Sequence, residues 1–358
     1  MESLDPHVRH SVVASVLLLL AVWALWKVLL HSFWGSRIRA IFRRGWVVCS
    51  LIVICGFVFI ALADSISWKS EPGDVPSMYA LQAGQPRSVF DRMFSAIAGV
   101  PEYAYGEDSY SSPLARSEFV DEDRKLKYRH LLGTTQTGHD TLYRILKGCK
   151  PAVVIGTLPL LFAIPLALLF GVSAGFFGGR TDDVVVYAYT TIASIPSILF
   201  LFALVASFAD PEGKNRLLLI CLGLGVTGWI GLCRLVRAET LKLRELEYVQ
   251  AATCLGVSKV RIIFRHIIPN LMHIVIITAV LAFSGLVLTE AVLSYIGIGL
   301  DHSWGAMIDQ ARGEIAREPP IWWNLMSASA ALFALVLSMN VVGDAIRDAL
   351  DPRISANE

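Results

Sequence analysis

Few residues in this chain combine the types and spacing that bond chemistry needs. Glu290 is a carboxylate inside an otherwise apolar run. A charge at the centre of a membrane helix costs roughly 2.5–3.5 kcal/mol, so it has to face protein or a water-filled cavity. Three roles fit it: lining a solute pathway, tying helices together, or lying close enough to the outer end to meet water, and Ser294 one turn on is grouped with it as a candidate pathway residue. Gly171 to Gly175 reads G-V-S-A-G and matches the hydrolase nucleophile elbow. That motif needs a strand before it and a helix after it, whereas here it sits within an apolar helical run. Two glycines four apart read instead as close helix packing. Gly213-Lys214 is the only fragment like a phosphate loop; no glycine precedes it at the needed distance, and Asn215 stands where Ser or Thr should. Nucleotide binding by that route is excluded, so energy has to come from a partner. The six cysteines show no CxxC and no Cys/His ligand spacing, which argues against a zinc site or a disulfide framework. His302, Trp304, Trp322 and Trp323 fall around a late loop, where Trp anchors the interface or meets a solute.

The elements that must hold these residues are long apolar runs. The chain has 358 residues, 55% hydrophobic and 17% charged, with net charge +1 and mean hydropathy +0.58. Soluble domains carry about 25% charge, and a near-zero net charge gives no footprint for nucleic acid. Seven runs are long enough to cross a bilayer as helices: Ser11–Leu30, Trp46–Ala63, Ala152–Phe176, Val184–Phe208, Leu217–Val236, Leu271–Ile298 and Ile321–Val342. About 20 residues at 1.5 Å each span a core of about 30 Å. The first run is also long enough for a signal peptide; it lacks a small-x-small cleavage site and is read as an uncleaved helix.

Arg37, Arg39, Arg43 and Arg44 follow the first run, and Arg237, Lys242, Arg244, Lys259, Arg261 and Arg265 follow the fifth. Both basic loops belong on the cytoplasmic side, and an alternating thread of seven spans puts them there together. The polar stretch from Asp64 to Pro151 then lies outside, too long for a plain connector; a small, partly ordered subdomain is expected.

The fifth loop has its own periodicity. Tyr248, Ala251, Ala252 and Leu255 recur at helical spacing, Gly256 offers a stop, and Ser258 offers an N-cap. Val260, Ile263, Phe264 and Ile267 repeat the spacing, and Pro269 marks the entry to the next span. On spacing alone, an interfacial connector and a docking contact fit equally well.

Residues 250–269 resemble the cytoplasmic loop of ABC importer permeases, E-A-A, three residues, G, nine residues, I-x-L-P. Gln250-Ala251-Ala252 stands at E-A-A, Gly256 at the glycine, and Ile267-Ile268-Pro269 near the end, with Gln250 replacing the family glutamate and Glu247 nearly one turn earlier. Leu132 to Arg144, Ala174 to Asp182, Thr289 to Gly299 and Gly343 to Arg353 are similar to motifs of the C-type permease of dipeptide and oligopeptide importers, with Thr135 and His139 departing. The resemblance implies an all-α polytopic protein of the inner membrane: a six-helix type I permease core plus an extra N-terminal helix. It divides the chain into the extra helix and linker (1–45), a first core helix (46–65), an external segment (66–150), a five-helix core (151–345) with a coupling loop (237–269), and a tail (346–358).

It further implies a mechanism. Two paralogous permeases form the pore, two cytoplasmic ATPases dock beneath them, and an external binding protein delivers a peptide. ATP and magnesium sit in the ATPases, and this chain binds no cofactor. Glu247, Tyr248, Gln250, Ala251, Ala252, Leu255, Gly256 and Pro269 are the implied ATPase-coupling residues. Rival readings are an ion-coupled secondary transporter, which wants mid-membrane charges and internal repeats, an importer of another solute such as a metal complex, and a membrane-bound enzyme, for which no convergent His, Asp or Ser set is found.

Overall fold

The computed structural model describes residues 44–69, 86–98, 109–117, 125–126, 128–210, 215–300 and 302–350. The expected span at Ser11–Leu30 and the Gly213-Lys214 fragment lie outside the described residues. The described residues are overwhelmingly helical: α1 Gly45–Ser65, a strand pair β1 Ser67–Lys69 and β2 Pro86–Ser88, α2 Val89–Ala98, α3 Thr141–Lys147, α4 Cys149–Phe177, α5 Gly179–Ala193, α6 Ser197–Phe208, α7 Arg216–Arg244, α8 Glu247–Cys254, α9 Lys259–Ile262, α10 Ile268–Tyr295, α11 Trp304–Ile315 and α12 Trp323–Leu350. Five helical stretches are long and apolar enough to cross a membrane, and six if the bent pair α5 and α6 counts as one span.

Three expectations change in detail. The run Val184–Phe208 is two helices bent by 73°. Pro196 causes the break: its ring has no N–H to donate and disfavours helical backbone at Ile195. Second, α7 runs on to Arg244, so the first residues of the expected loop 237–269 are helix. Third, Pro269 does not mark a helix entry. Helix starts at Lys259 and continues to Tyr295 without a break, through a π turn at Ile263–Ile267. The amide of Ile268 bonds to the carbonyl of Ile263, five residues back. A proline inside a regular α-helix clashes with the carbonyl four residues earlier, and the wider turn relieves it.

By contacts the chain falls into two units. One contains Val48–Val154 and Glu290–Ser338. Here the antiparallel pair β1–β2 leads into α2, which opens with a capping box. The Ser88 amide donates to Asp91 Oδ2 at 2.8 Å, and the Asp91 amide to Ser88 Oγ at 3.3 Å. Lys147 Nζ bonds Asp64 Oδ1 at 2.6 Å and Asp91 Oδ1 at 2.9 Å. The Tyr143 hydroxyl donates to Asp91 Oδ1 at 2.7 Å. Two buried carboxylates around one ammonium hold α2, α1 and α3 together. The motif at Leu132 to Arg144 is a helix start. Gly133 and Gly138 take positive φ, and Asp140 caps α3 by accepting from the Tyr143 amide at 2.9 Å.

Of the described residues, the other unit contains 44–47, those between 155 and 289, and 339–350. Its core is α4 on α7, with Ala163, Ala167, Trp229, Leu232, Cys233 and Val236 buried together. Gly171 and Gly175 let the backbones meet. A Cβ on Gly171 would lie 2.8 Å from Val236 Cγ1, and one on Gly175 would lie 2.7 Å from Thr240 Cβ. The G-x-S-x-G match is therefore helix packing.

Candidate functional site

The loop after α7 becomes a short helix, a left-handed turn and the extended start of a spanning helix. The α8 helix ends in a Schellman motif. The Val257 amide bonds to Ala252 O at 3.1 Å and the Gly256 amide to Thr253 O at 3.0 Å, with Gly256 at φ +75°. Only glycine holds that backbone without strain. No atom lies within 4 Å of where a Cβ on Gly256 would be, so the requirement is conformational, not steric.

The sequence places Tyr248, Ala251, Ala252 and Leu255 on one face, and the structure splits that set. Val249 is the buried anchor of α8, and Ala252 is half-buried against the same core as Ile262 and Ile267. Tyr248, Ala251 and Leu255 point outward together, with Leu255 82% exposed. On α9 and the π turn, Val260 and Phe264 are also exposed, at 63% and 68%, whereas Ile262 and Ile267 are fully buried. Of the expected set Val260, Ile263, Phe264 and Ile267, only Ile267 is fully buried, and the π turn at Ile263–Ile267 breaks the 3.6-residue spacing on which that set rests. Val249 and Ile262 are the positioning residues that regular spacing does not reveal, and Ile267 is one that it does.

The polar members have assigned places. Gln250 donates from Nε2 to Glu245 O at 3.1 Å and so closes the loop between α7 and α8. Glu247 is exposed in the first turn of α8, where a carboxylate is favoured by the helix dipole. The Tyr248 hydroxyl accepts from Asn270 Nδ2 at 3.1 Å, and that amide also donates to His266 O at 2.7 Å. Pro269 is exposed behind the π turn. Two arginines seat the loop. Arg244 Nη1 donates to Gly175 O at 3.0 Å. Arg237 clasps Asp182 from Nε and Nη2, the latter at 2.6 Å. Asp182 follows the two left-handed glycines Gly178 and Gly179, and its place in the G-G-R-T-D turn is the sequence signal for this clasp.

Glu290 is 3% exposed. Ser294 Oγ donates to it at 2.5 Å, Ser303 Oγ donates to Ser294 Oγ at 2.8 Å, and the Leu300 amide donates to Ser294 Oγ at 3.1 Å. Ser303 in turn caps α11 by accepting from the Ala306 amide. Gly305 allows the approach, since a Cβ there would lie 2.6 Å from the Ala291 backbone. In this chain Glu290 and Ser294 tie the end of α10 to the start of α11. Among the described residues no group of three or more His, Cys, Asp or Glu is placed to hold a metal ion, and all six cysteines are free.

Comparison with known proteins gives this geometry its context. Residues 167–356 match the family described as binding-protein-dependent transport system inner membrane component. The oligopeptide transport system permease protein OppC of Haemophilus influenzae is 34% identical over 227 residues, 63% of this chain and 70% of that protein. OppC of Bacillus subtilis is 32% identical over 241 residues, covering 66% and 76%. The dipeptide transport system permease protein DppC of the same organism is 28% identical over 244 residues, covering 67% and 74%. The family match takes in α5 to α12 whole, with the clasp, the Gly256 turn and the Glu290 tie, and on that ground the chain belongs to the inner membrane components of binding-protein-dependent transport systems.

Proposed function

We propose that this chain is a pore-forming permease of an ATP-driven importer whose solute is a peptide, and that α8 is the part a cytoplasmic ATPase grips. The observation that carries the coupling role is the outward face of α8. Tyr248, Ala251 and Leu255 are exposed on a helix whose other side is pinned by Val249 and whose end is locked by Gly256. A small, rigid, surface-mounted helix transmits a push, and alanine lets a partner approach closely. The peptide comes from the names of the similar permeases.

In this reading the chain performs no bond chemistry and holds no cofactor; nucleotide and magnesium belong to the ATPases. The partners are a second, paralogous permease, two ATPase subunits and an external solute-binding protein. With Gln250 engaged at the base of α8, the exposed Glu247 is the carboxylate offered to the ATPase. Glu290 and Ser294 act as a structural tie.

The test is to purify the chain with its neighbours and reconstitute the assembly in liposomes with the binding protein. ATP-dependent uptake of short peptides is the expected result. Recovery without any ATPase subunit overturns the coupling role, and uptake of a metal complex but of no peptide overturns the solute.

A further inference from the structure

Between α5 and α6 the backbone turns through 73°. The two helices have 15 and 12 residues, about 22 Å and 18 Å at 1.5 Å per residue, and neither alone crosses a core of about 30 Å. The break at Ser194, Ile195 and Pro196 therefore lies within the apolar layer, whether the pair crosses it or dips in and returns. Every residue from Ala193 to Leu199 is exposed. The first helical return of α6 is the Phe200 amide to Pro196 O, at 3.0 Å. Ahead of it the amides of Ser197, Ile198 and Leu199 have no partner among the described residues, and Pro196 at the N-cap has no side-chain oxygen to offer them.

The hydroxyls sharpen the contrast. Thr191 donates to Tyr187 O at 2.8 Å and Ser194 to Thr191 O at 2.7 Å; all three side chains are exposed, as is Ser197. The exposed positions of α1 are different: Ile52, Val53 and Phe59 on an unbroken helix, a face that lipid covers at no cost. Unbonded backbone amides in hydrocarbon cost several kcal/mol each, so irregular backbone at membrane depth is found against protein or along a water-filled cavity. A dry contact with another helix would leave these amides unsatisfied unless acceptors happened to face them, whereas water satisfies all of them.

We infer that the break at Ser194 to Leu199 lines the aqueous solute pathway and presents the Thr191, Ser194 and Ser197 hydroxyls and the free amides of Ser197 and Ile198 to a polar solute. Its free amides and the Ser197 hydroxyl are donors suited to solute carbonyl or carboxylate oxygens, while the Thr191 and Ser194 hydroxyls, whose hydrogens go to backbone carbonyls, offer acceptors. It rests on the transport role and is independent of which solute is carried.

The experiment is thiol labelling in proteoliposomes, using the full chain co-assembled with its ATPase and with the exposed Cys49, Cys55 and Cys254 replaced by serine. Ser194→Cys, Ser197→Cys and Thr191→Cys are each compared with Ile52→Cys, using a charged, membrane-impermeant methanethiosulfonate. Modification at the break is expected at least about tenfold faster than at Ile52, because the reacting thiolate forms in water and is suppressed in apolar surroundings. It should also block ATP-dependent uptake. Rates at all three break positions no faster than at Ile52 overturn the inference, since they place the break against lipid or a dry protein face. Three positions on both sides of the proline guard against one variant failing to fold. ATPase recovery in the same preparation reports separately on the transport role.

Discussion

Arg237 grips Asp182 with two guanidinium hydrogens across 55 residues of sequence, fastening the left-handed turn before α5 to the side of α7. Both side chains are about a quarter exposed, at 27% and 20%, so the pair is screened and its worth is moderate. Asp182→Asn should lower stability by about 1–2 kcal/mol, the range for a hydrogen-bonded charge with partial solvent access. Arg237→Lys should cost nearly as much, because an ammonium keeps the charge and loses the planar fork. Thermal unfolding of the detergent-solubilised chain measures both. A lysine variant as stable as the parent would show that charge alone holds the turn.

Two glycines in the same unit should respond oppositely to alanine. A Cβ on Gly175 would lie 2.7 Å from Thr240 Cβ and 2.8 Å from Arg237 O, and the carbonyl cannot swing aside. Gly175→Ala should destabilise by about 1–3 kcal/mol, as overpacking does. Gly231 in α7 has nothing within 4 Å, and alanine there should be neutral or stabilising by up to about 1 kcal/mol through helix propensity. Unfolding midpoints of the two variants decide it.

Gly256 has open space and a left-handed backbone, so backbone strain and side-chain size separate cleanly. Gly256→Ala should cost about 1–2 kcal/mol in the α8 turn, whereas Gly256→Asn should cost less because asparagine tolerates that conformation. If α8 transmits the ATPase stroke, alanine should loosen coupling more than the larger asparagine does, read as peptide transported per ATP hydrolysed. A bulky β-branched residue should uncouple most while the chain still inserts. Equal coupling in all variants would remove the turn from the mechanism.

Much of the fold was legible because hydrocarbon imposes one rule: long apolar runs become helices. Trp46–Ala63, Leu217–Val236 and Ile321–Val342 each fall within a described helix, α1, α7 and α12 apart from the flanking Ile321 and Trp322. What hydropathy could not show is where a helix breaks inside an apolar run. Pro159 and Pro165 leave α4 intact, yet Pro196 splits α5 from α6. The apolar set of the second short helix was only partly legible for a related reason: periodicity assumes 3.6 residues per turn, and across the π turn before Pro269 Phe264 is exposed while Ile267 is buried. Pairings distant in sequence, such as Asp182 with Arg237 or Arg244 with the Gly175 carbonyl, depend on how segments meet. The chain of hydrogen bonds from Ser303 through Ser294 to Glu290 depends likewise on how the chain returns to the end of α10.

Asp91 makes the unit that contains α2 sensitive to acid. Burial by itself would raise its carboxyl, but the Lys147 ammonium and hydrogen bonds from Lys147, the Ser88 amide and the Tyr143 hydroxyl outweigh it and hold the carboxyl below the ordinary aspartate range. A carboxyl lowered in the folded state contributes stability that is fully present above its unfolded value, about 3.9, and is lost as pH falls through the folded value. The α2 region should therefore resist proteolysis evenly from neutral pH down to about 4 and become labile below it. Asp91→Asn should flatten this acid limb and lower protection at neutral pH, because Lys147 would keep only Asp64 as a carboxylate partner and the Ser88 amide would face a weaker acceptor. Limited proteolysis of the detergent-solubilised chain between pH 3 and 7, read at α2, is the measurement. Parent and variant protected alike across that range would mean that the capping box and the lysine bridge do not hold α2 in place.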